Sequence, residues 1–536
     1  MSIEVDWVLY NGKIYTQNTH QPLVEALVIR DGKIVFGGSS SEALKYLPSA
    51  ASQKAVDLKG ACVIPGMTDS HLHFQYYSTL LHTINAELPT PDDVLREVAE
   101  AATRKPKGSW ITGFGWNRNV WNGVMPTAAM LDAVAPDHPV CLNDKSGHAV
   151  WVNSAAMRLA GITANTTAPK GGEFVRDESG NPTGLLLEEA NLMVESLIPL
   201  PTADELAEMV KKAMSVANRA GLTSIHDFDN PLLFKAFQKL HHEHALKLRV
   251  TKGIPLPYLD KAIDLGFTTG FGDDWLRLGA VKLFADGALG PRTSWMLEGF
   301  SSAPDNTGIA TTDIKIIREA VLKANAAGLA CAIHAIGDRA TREVLDVFAE
   351  AVAKGVSGKL RNRIEHVQLL SPQDRGRLAE LNVIASMQPL HATSDMYIAD
   401  QHWGEERCAG AYALKTQIEA GAVLILGSDC PVETLDPLQG IHAAVTRRRT
   451  DGTPGPLGWR PEQRISVAEA LKGYTLNPAY ATGMEDRLGT LAPGWLADLV
   501  VLDADIFEVD PMDILKIKVL GTMVGGDFAW RAEALS

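Results

Sequence analysis

Two histidines, His71 and His73, stand one residue apart where the segment "VIPGMTDSHLHF" (63–74) ends. On a β-strand alternate side chains face the same side, so both imidazoles can reach one ion. Neutral imidazole and carboxylate bind Zn²⁺ at about 2.0–2.2 Å, and a catalytic site leaves one position open for water. A pair of histidines in one strand is more often structural than metal-binding, so this interpretation needs further ligands elsewhere in the chain.

Four other residues have side chains suited to such a site: Lys282, His334, His366 and Asp429. A divalent ion lowers the pKa of its bound water towards about 7, and Asp429 could take the proton and pass it to a leaving group. Each residue has a structural alternative: either histidine could be a hydrogen-bonded core residue, Asp429 could cap a helix, and Lys282 could pair with Asp286 or another carboxylate. All six residues nevertheless fall at or near the ends of predicted strands, and this joint pattern favours a metal site.

Short apolar runs alternate with helical patterns through the middle of the chain. Strands that alternate with helices indicate a parallel sheet, and eight such units fit an α/β fold of the (β/α)₈ TIM-like barrel type, with its active site at the C-terminal ends of the strands. Pro65-Gly66 is expected to mark the entry into this barrel from a terminal sheet. The eight runs are 62–73, 221–228, 246–254, 278–287, 329–338, 362–368, 382–389 and 422–429.

Both ends of the chain are rich in β-like runs separated by Asn-Gly, Asp-Gly and Pro-Gly turn signals. They predict one composite β-sandwich domain from residues 1–60 and 485–536, beside a barrel domain of residues 61–484. Residues of about 85–200 would then be a large insertion after the first barrel strand, lying over the active site. The shape of the pocket is expected to depend on this insertion and on the loop 388–403.

The composition narrows the classes of partner. The formal net charge is −14 over 536 residues, whereas nucleic-acid binding usually leaves a basic footprint, so no nucleic-acid partner is expected. The five cysteines form no CxxC pair, the N-terminus lacks the basic and apolar regions of a signal peptide, and no apolar run approaches the roughly 18 residues of a membrane span. These features predict a soluble cytoplasmic protein that acts on a small-molecule substrate, with no role at a membrane.

Five segments together resemble the amidohydrolase superfamily, and in particular its amidohydrolase-3 branch, which includes the YtcJ-like proteins and the N-substituted formamide deformylases. The segments are "PGMTDSHLH", "VKLFADGALG", "AIHAIGDRA", "RIEHVQ" and "LGSDCPV". The likeness extends from "VLYNGKIYT" to "GWLADLVVLD", which is nearly the whole chain. It implies the β-sandwich built from both termini and a homodimer.

The resemblance also implies a role for each candidate ligand. The two histidines of the HxH pair would bind one divalent ion, and His334 and His366 a second, with Zn²⁺ as the expected metal and one or two ions per site. Lys282 would bridge the ions as an N-carboxylated lysine, because a carbamate is an anionic ligand whereas an ammonium would be repelled by two cations. Asp429 would be both a ligand and the proton shuttle.

The insertion and the loop after the fourth strand supply candidate substrate contacts. Relatives commonly carry Asp-Gly-His before the "WVNS" segment, whereas this chain carries Ser-Gly-His ending at His148. His148 is a candidate for contacting the substrate or polarising an oxyanion, and equally a candidate structural histidine. Trp116, Trp121 and Trp151 form either an aromatic wall or the insertion's own core. Arg292 could hold a substrate carboxylate or carbonyl, or form a plain salt bridge.

These expectations converge on a metal-dependent hydrolase that cleaves an amide-type C–N bond with hydroxide activated by the metal. The N-substituted formamide or N-acyl amine class is implied by the resemblance, and Asp429, His366 and His148 are the predicted catalytic residues. The same activation of water would serve a deaminase or a lactonase. A non-catalytic regulator that uses the barrel for binding is the alternative from another class, and the intact ligand set argues against it.

Overall fold

Eight parallel strands form the central sheet, each paired with the next strand along the chain. An isolated bridge between Leu72 and Cys430 joins the first strand to the segment after the last one, so the sheet closes into a barrel and the predicted (β/α)₈ fold is confirmed. The computed structural model describes residues 5–47, 54–118, 120–121, 123–145 and 148–535. The barrel strands are β1 Met67–Leu72, β2 Leu222–Asp227, β3 Arg249–Pro255, β4 Leu276–Phe284, β5 Cys331–Ala335, β6 Arg363–His366, β7 Ile384–Met387 and β8 Leu424–Leu426.

Every predicted run overlaps one observed barrel strand, and the chain enters the barrel at Pro65-Gly66. Before this point, the strand Cys62–Pro65 pairs in a terminal sheet, and after it β1 begins at Met67. Glycine is required at the crossing, because a Cβ on Gly66 would lie 2.3 Å from Thr223 Oγ1. The strands β1 and β2 are buried along their whole length, as expected of parallel strands that are covered on both faces.

An α-helix follows every barrel strand and turns an apolar face towards the core. The helix Asp338–Ala353, for example, buries Val344 and Phe348 one turn apart. Ser466 and Glu469 form a capping box that satisfies backbone N–H groups at the start of a later helix. The helices of the barrel are Phe74–Leu80, Ala203–Arg219, Pro231–His242, Leu259–Asp264, Ile314–Ala326, Asp338–Ala353, Arg377–Glu380, Pro389–Ser394, Met396–His402, Leu414–Ala420, Pro437–Thr446, Val467–Tyr474 and Leu476–Thr482.

Strands from both chain ends pair in one six-stranded sheet, in which Cys62–Pro65 lies between Lys13–Tyr15 and Leu499–Leu502. A four-stranded sheet of the N-terminal segment shares an apolar core with it, which includes Leu9 and Val501. The additional sheet domain built from the two termini is therefore confirmed. Its strands are Trp7–Tyr10, Lys13–Tyr15, Leu23–Val24, Ala26–Arg30, Lys33–Gly38, Ala55–Asp57, Cys62–Pro65, Leu499–Leu502, Val519–Val524 and Asp527–Arg531, with a short helix at Ser40–Ala43.

Residues Gln75–Met209 form a compact unit, and Met1–Phe74 with Val210–Ser536 form the other. The predicted insertion of about 85–200 falls inside the first of these. In the described part of the chain, no helix has both the length and the apolar character needed to cross a membrane. The unit Gln75–Met209 has a six-stranded sheet in the order Gly172–Arg176, Pro182–Glu188, Ala149–Val152, Val140–Asp144, Ile111–Trp116 and Ile84–Asn85, with helices Pro91–Arg104, Ala128–Asp132, Ser154–Leu159 and Leu192–Glu195.

Candidate metal centre

The C-terminal ends of the barrel strands bring the six predicted ligands into one cluster. The six are His71 and His73 at the end of β1, Lys282 on β4, His334 on β5, His366 at the end of β6 and Asp429 after β8. The ring of His366 lies 4.8 Å from that of His71 and 4.5 Å from that of His334, measured between centroids. His73 and His334 are half-buried and the other four are buried.

Two of these residues have backbone conformations that are unfavourable for side chains other than glycine. His366 has a φ of 75° and Asp429 a φ of 59°. Such conformations cost about 1–3 kcal/mol each and persist where the surroundings hold them, commonly at functional sites. The N–H of Asp429 donates to the carbonyl oxygen of His71 at 2.7 Å, which fixes the segment after β8 against the end of β1.

The carboxylate of Asp429 connects two groups of candidate ligands. Its Oδ1 is 3.5 Å from Nε2 of His71 and 3.5 Å from Nε2 of His73, and its Oδ2 is 3.7 Å from Nε2 of His391. Ligands bonded at about 2.0–2.2 Å to a tetrahedral ion stand about 3.3–3.6 Å apart. The two separations of 3.5 Å fall in this range, and the third is slightly longer. His71, His73 and Asp429 form one candidate group, and His366, His391 and Asp429 form a second.

Three of the histidines are oriented by an oxygen atom at Nδ1. A ring whose Nδ1–H donates a hydrogen bond presents a lone pair on Nε2, which is the form that binds a metal. His334 is turned the other way, since its Nε2 donates to the Gly287 carbonyl oxygen at 3.0 Å and leaves Nδ1 as the acceptor. The three pairs are His71 with Glu365 at 2.5 Å, His73 with Asp229 at 2.9 Å and His366 with Gln388 at 3.0 Å.

Burial keeps most of the imidazoles neutral. It lowers the pKa of His71 and the pKa of His334 to about 4, and the charge of Lys282 adds to the effect in both cases. Burial also holds the pKa of His366 well below its usual value and lowers the pKa of Lys282 to about 8. Neutral imidazoles are the deprotonated ligands that a divalent ion requires.

His73 and Asp429 form a pair of opposite charge. Burial acts to lower the pKa of His73, but its hydrogen bonds to Asp229 and Asp429 together raise that pKa to about 9. Burial acts to raise the pKa of Asp429, but the hydrogen bond from His73 and the nearby imidazoles hold it well below its usual range. Because metal ligands must be deprotonated, a divalent ion held by this pair would release the His73 proton.

Glu365 is a site residue that the sequence analysis missed. It is fully buried on β6, where it accepts the hydrogen bond from His71. Arg363 lies on the same face of the strand; its Nη2 donates to Glu365 at 2.9 Å and to Ser386 Oγ at 2.7 Å, and His226 Nδ1 lies 3.1 Å from its Nη1. In the sequence, this pair could have been found from the arginine and the glutamate that stand one residue apart in the predicted buried strand "NRIEHVQ".

Replacing Glu365 by glutamine is expected to weaken the binding of a divalent ion by about 10–100-fold, the usual effect of removing a group that orients a histidine ligand. The amide can still accept from His71, but it no longer carries the charge that neutralises Arg363. Competition with a chelator of known affinity measures the change. Asp273→Asn is the matched control, because Asp273 pairs with the exposed His241 at 2.7 Å outside the cluster. Equal affinities in the two variants would exclude this role of Glu365.

His391 is a second residue that the sequence analysis missed. It lies on the helix Pro389–Ser394 directly after β7, in the loop that was expected only to shape the pocket, and it is 6% exposed. A histidine four residues beyond a buried strand, in "MQPLH", was the available signal. Its position relative to Asp429 could not be read from the sequence, because it lies on a short helix and not at the strand end.

The tryptophans of the unit Gln75–Met209 pack into that unit's own core. Trp151 is fully buried and its Nε1 donates to the Thr127 carbonyl oxygen at 2.8 Å, so its predicted place in a substrate-contacting wall is wrong. Trp116 is 2% exposed, stacks on Trp121 and also borders a cavity of about 810 Å³, so its substrate contact stays a prediction. A unit of this size needs its own apolar core, and large aromatic rings supply it.

His148 and Arg292, the other candidate substrate contacts, are both exposed. His148 lines the same cavity, and its Nδ1 lies 2.9 Å from Glu188 Oε2, a hydrogen bond that raises the pKa of His148. Arg292 lies on the loop after β4 with a φ of 57°. Their predicted roles, catalysis for His148 and substrate binding for Arg292, stay predictions.

Comparison with known proteins gives matches along almost the whole chain. The profile of the amidohydrolase family matches residues 54–529. Two relatives are each 32% identical: LONG AFTER FAR-RED 3 of Arabidopsis thaliana, over 98% of this chain and 91% of that protein, and YtcJ of Bacillus subtilis, over 98% and 99%. An N-substituted formamide deformylase of Arthrobacter pascens is 27% identical over 97% of each chain.

A solved structure also matches most of this chain. An uncharacterized metal-dependent hydrolase from Pyrococcus furiosus superposes with a TM-score of 0.77 and 32% identity, over 94% of this chain and 99% of that one. The family profile thus covers most of the chain, and relatives at 32% identity cover nearly all of it. The chain belongs to the amidohydrolase family, in the amidohydrolase-3 branch that its sequence motifs predict.

Proposed function

We propose that this protein is a metal-dependent hydrolase that cleaves an amide-type C–N bond, of the N-substituted formamide or N-acyl amine class. The observation that carries the proposal is the Asp429 carboxylate, whose Oδ1 lies 3.5 Å from Nε2 of both His71 and His73. The formamide deformylase that is 27% identical supports this choice of bond, and the metal-dependent hydrolase of Pyrococcus furiosus supports the need for a metal.

A divalent ion, when bound, supplies a water of lowered pKa and polarises the substrate carbonyl. His71 and His73 would hold it, and Glu365 and Asp229 fix the orientations of their rings. Asp429 accepts the proton of the attacking water and delivers it to the departing nitrogen, so that a neutral amine leaves. One carboxylate thus serves as base in the first half of the reaction and as acid in the second.

We propose an N-carboxylated Lys282 as a further ligand. Its Nζ is buried 3.4 Å from His71 Nε2 and lies over the rings of Phe228 and Phe284, at 4.6 and 5.0 Å from their centroids. Among the described residues it has no ion pair with a carboxylate, in contrast to Lys252, which pairs with Asp227 at 3.0 Å. An ammonium beside two cations would be repelled, whereas a carbamate is an anionic oxygen ligand.

The remaining assignments follow from the donor set and the sequence. Zn²⁺ is the proposed ion, because imidazoles with a carboxylate suit it well. His148 and Arg292 are proposed as groups that hold or polarise the substrate carbonyl. A homodimer and a cytoplasmic location stay predictions from the sequence.

The test is a turnover screen of the purified full-length protein on N-formyl amines, N-acyl amines, lactones and cyclic amidines. We expect cleavage of the N-formyl or N-acyl amines, loss of that activity with a chelator, and its return on adding Zn²⁺. Turnover of lactones or cyclic amidines alone would replace the proposal by a lactonase or a deaminase on the same residues. A protein that binds no divalent metal and turns over none of these compounds would indicate a binding protein instead.

A further inference from the structure

The Nε2 atom of His391 is buried and has no hydrogen-bond partner among the described residues. Leaving a buried polar atom unpaired costs about 1–3 kcal/mol, and native proteins contain few such atoms. This one lies 3.7 Å from Asp429 Oδ2, and its ring stacks on that of His366 with centroids 6.0 Å apart and planes 18° apart. A buried imidazole nitrogen that faces a carboxylate and lies beside a second imidazole has the surroundings of a metal ligand.

A chain of three residues determines which ring nitrogen of His391 carries the proton. Nδ1 of His391 lies 3.2 Å from Gln368 Nε2, and Gln368 Oε1 lies 3.2 Å from Tyr412 Oη. Tyr412 has one hydroxyl proton, and its shorter contact, 2.6 Å to Asp395 Oδ2, receives that proton. The tyrosine oxygen is then left only as an acceptor and cannot donate to Gln368 Oε1, so the hydrogen-bond network requires the opposite orientation of the Gln368 amide, with its NH₂ facing Tyr412.

With the amide in this orientation, its carbonyl oxygen faces His391. The two ends of an amide have nearly the same shape, and the hydrogen-bond network decides which end faces which partner. His391 Nδ1–H therefore donates to Gln368, and Nε2 carries the lone pair. His71, His73 and His366 show the same pattern at Nδ1, where each ring has an oxygen atom as its partner.

We infer that His391 binds a second divalent ion together with His366 and Asp429. The inference rests on the proposed metal-dependent function and adds a residue to its site. Asp429 then divides its two oxygens, Oδ1 towards the histidines of β1 and Oδ2 towards His391. The sequence analysis paired His366 with His334, and this pairing stays open, because the bond of His334 Nε2 to the Gly287 carbonyl oxygen leaves Nδ1 of His334 as its acceptor atom.

Three residues act on the second ion only through His391 and are therefore positioning residues: Gln368, Tyr412 and Asp395. Carboxylate or carbonyl partners of a ligand histidine fix its tautomer and orientation, and their loss typically lowers metal affinity by about 10–100-fold. Gln368 and Tyr412 are also linked through their backbones, since the Tyr412 N–H donates to the Gln368 carbonyl oxygen at 2.7 Å. Gln368 and Tyr412 are therefore held together by a backbone hydrogen bond as well as by their side chains.

The experiment is a Co²⁺ titration of the metal-free full-length protein, followed by visible absorption and by competition with a chelator. We expect the wild-type protein to bind two ions and His391→Asn to keep the first while losing at least about tenfold in affinity for the second. His442→Asn is the matched control, because His442 is equally buried but its Nε2 lies 3.4 Å from Met512 Sδ, outside the cluster. This control is expected to bind both ions as the wild-type protein does.

Two further variants test the tautomer and keep the inference testable if His391→Asn fails to fold. Tyr412→Phe is expected to weaken only the second ion, by about 10–100-fold, whereas Gln368→Glu, which keeps an oxygen facing His391 Nδ1, is expected to retain it. Unchanged affinity for both ions in His391→Asn and Tyr412→Phe would overturn the inference, as would a wild-type stoichiometry of one. Binding of two ions without turnover in the substrate screen would refute the proposed function and leave this inference intact.

Discussion

Replacing Asp429 by asparagine is expected to lower kcat by about 10²–10⁴-fold, the usual contribution of general acid–base catalysis. Asparagine has nearly the same shape and still offers an oxygen, but an amide does not accept the proton of the attacking water. Because His71 and His73 keep their positions, the ion that they bind is expected to stay. The measurement is kcat and KM on the best substrate of the screen, with the metal content of the same preparation.

Asp374→Asn is the matched control for this substitution. Asp374 is equally buried, but it pairs with Arg342 and Arg377 beyond β6, away from the metal cluster. This variant is expected to lose stability, since it leaves two arginines without their carboxylate, and to keep the wild-type kcat. A kcat of Asp429→Asn within about tenfold of the wild-type value, at full metal content, would exclude Asp429 as the proton shuttle.

Replacing Lys282 by alanine is expected to remove metal and to lower activity by at least about 10–100-fold, because an anionic ligand of the proposed site is lost. Short carboxylic acids such as acetate or propionate are expected to restore part of the activity, since they bring a carboxylate into the space that the side chain leaves. Metal content and kcat/KM, each measured with and without the acid, test both statements.

Lys252→Ala is the matched control for this rescue. Lys252 is also a buried barrel lysine, but its Nζ lies 3.0 Å from Asp227 Oδ2, so its charge is already paired and a carbamate has no role there. Short carboxylic acids are therefore expected to leave Lys252→Ala unchanged. Unaltered metal content in Lys282→Ala, or the absence of a carbamate signal from the wild-type protein in isotopically labelled bicarbonate, would contradict carboxylation of Lys282.

The barrel strands were predictable because parallel strands that are covered on both faces need apolar side chains on both. Such runs stand out in the sequence, and each of the eight overlaps an observed strand. The same contrast identified the candidate ligands, since a histidine, a lysine or an aspartate is conspicuous at the end of an apolar run. The convergence of these strand ends follows from barrel geometry alone.

The packing of the insertion was not predictable in the same way. Tryptophans in an aromatic-rich segment suit both a substrate wall and a core, and composition does not separate the two. Only the register of the strand Ala149–Val152 against its neighbours decided that Trp151 faces the core of its own unit. Side-chain direction depends on pairing between strands, and such pairing is a property of the folded chain.

The sequence by itself determined the barrel, the terminal sheet domain, the family and the histidines, lysine and aspartate that converge at the strand ends. The tertiary structure decided which ring nitrogens face one another, because that depends on partners far apart in the chain. His71 is oriented by Glu365, and His391 is oriented by a chain that ends at Asp395. A residue type reveals which chemistry is available, but hydrogen bonds between distant residues determine where its lone pair points.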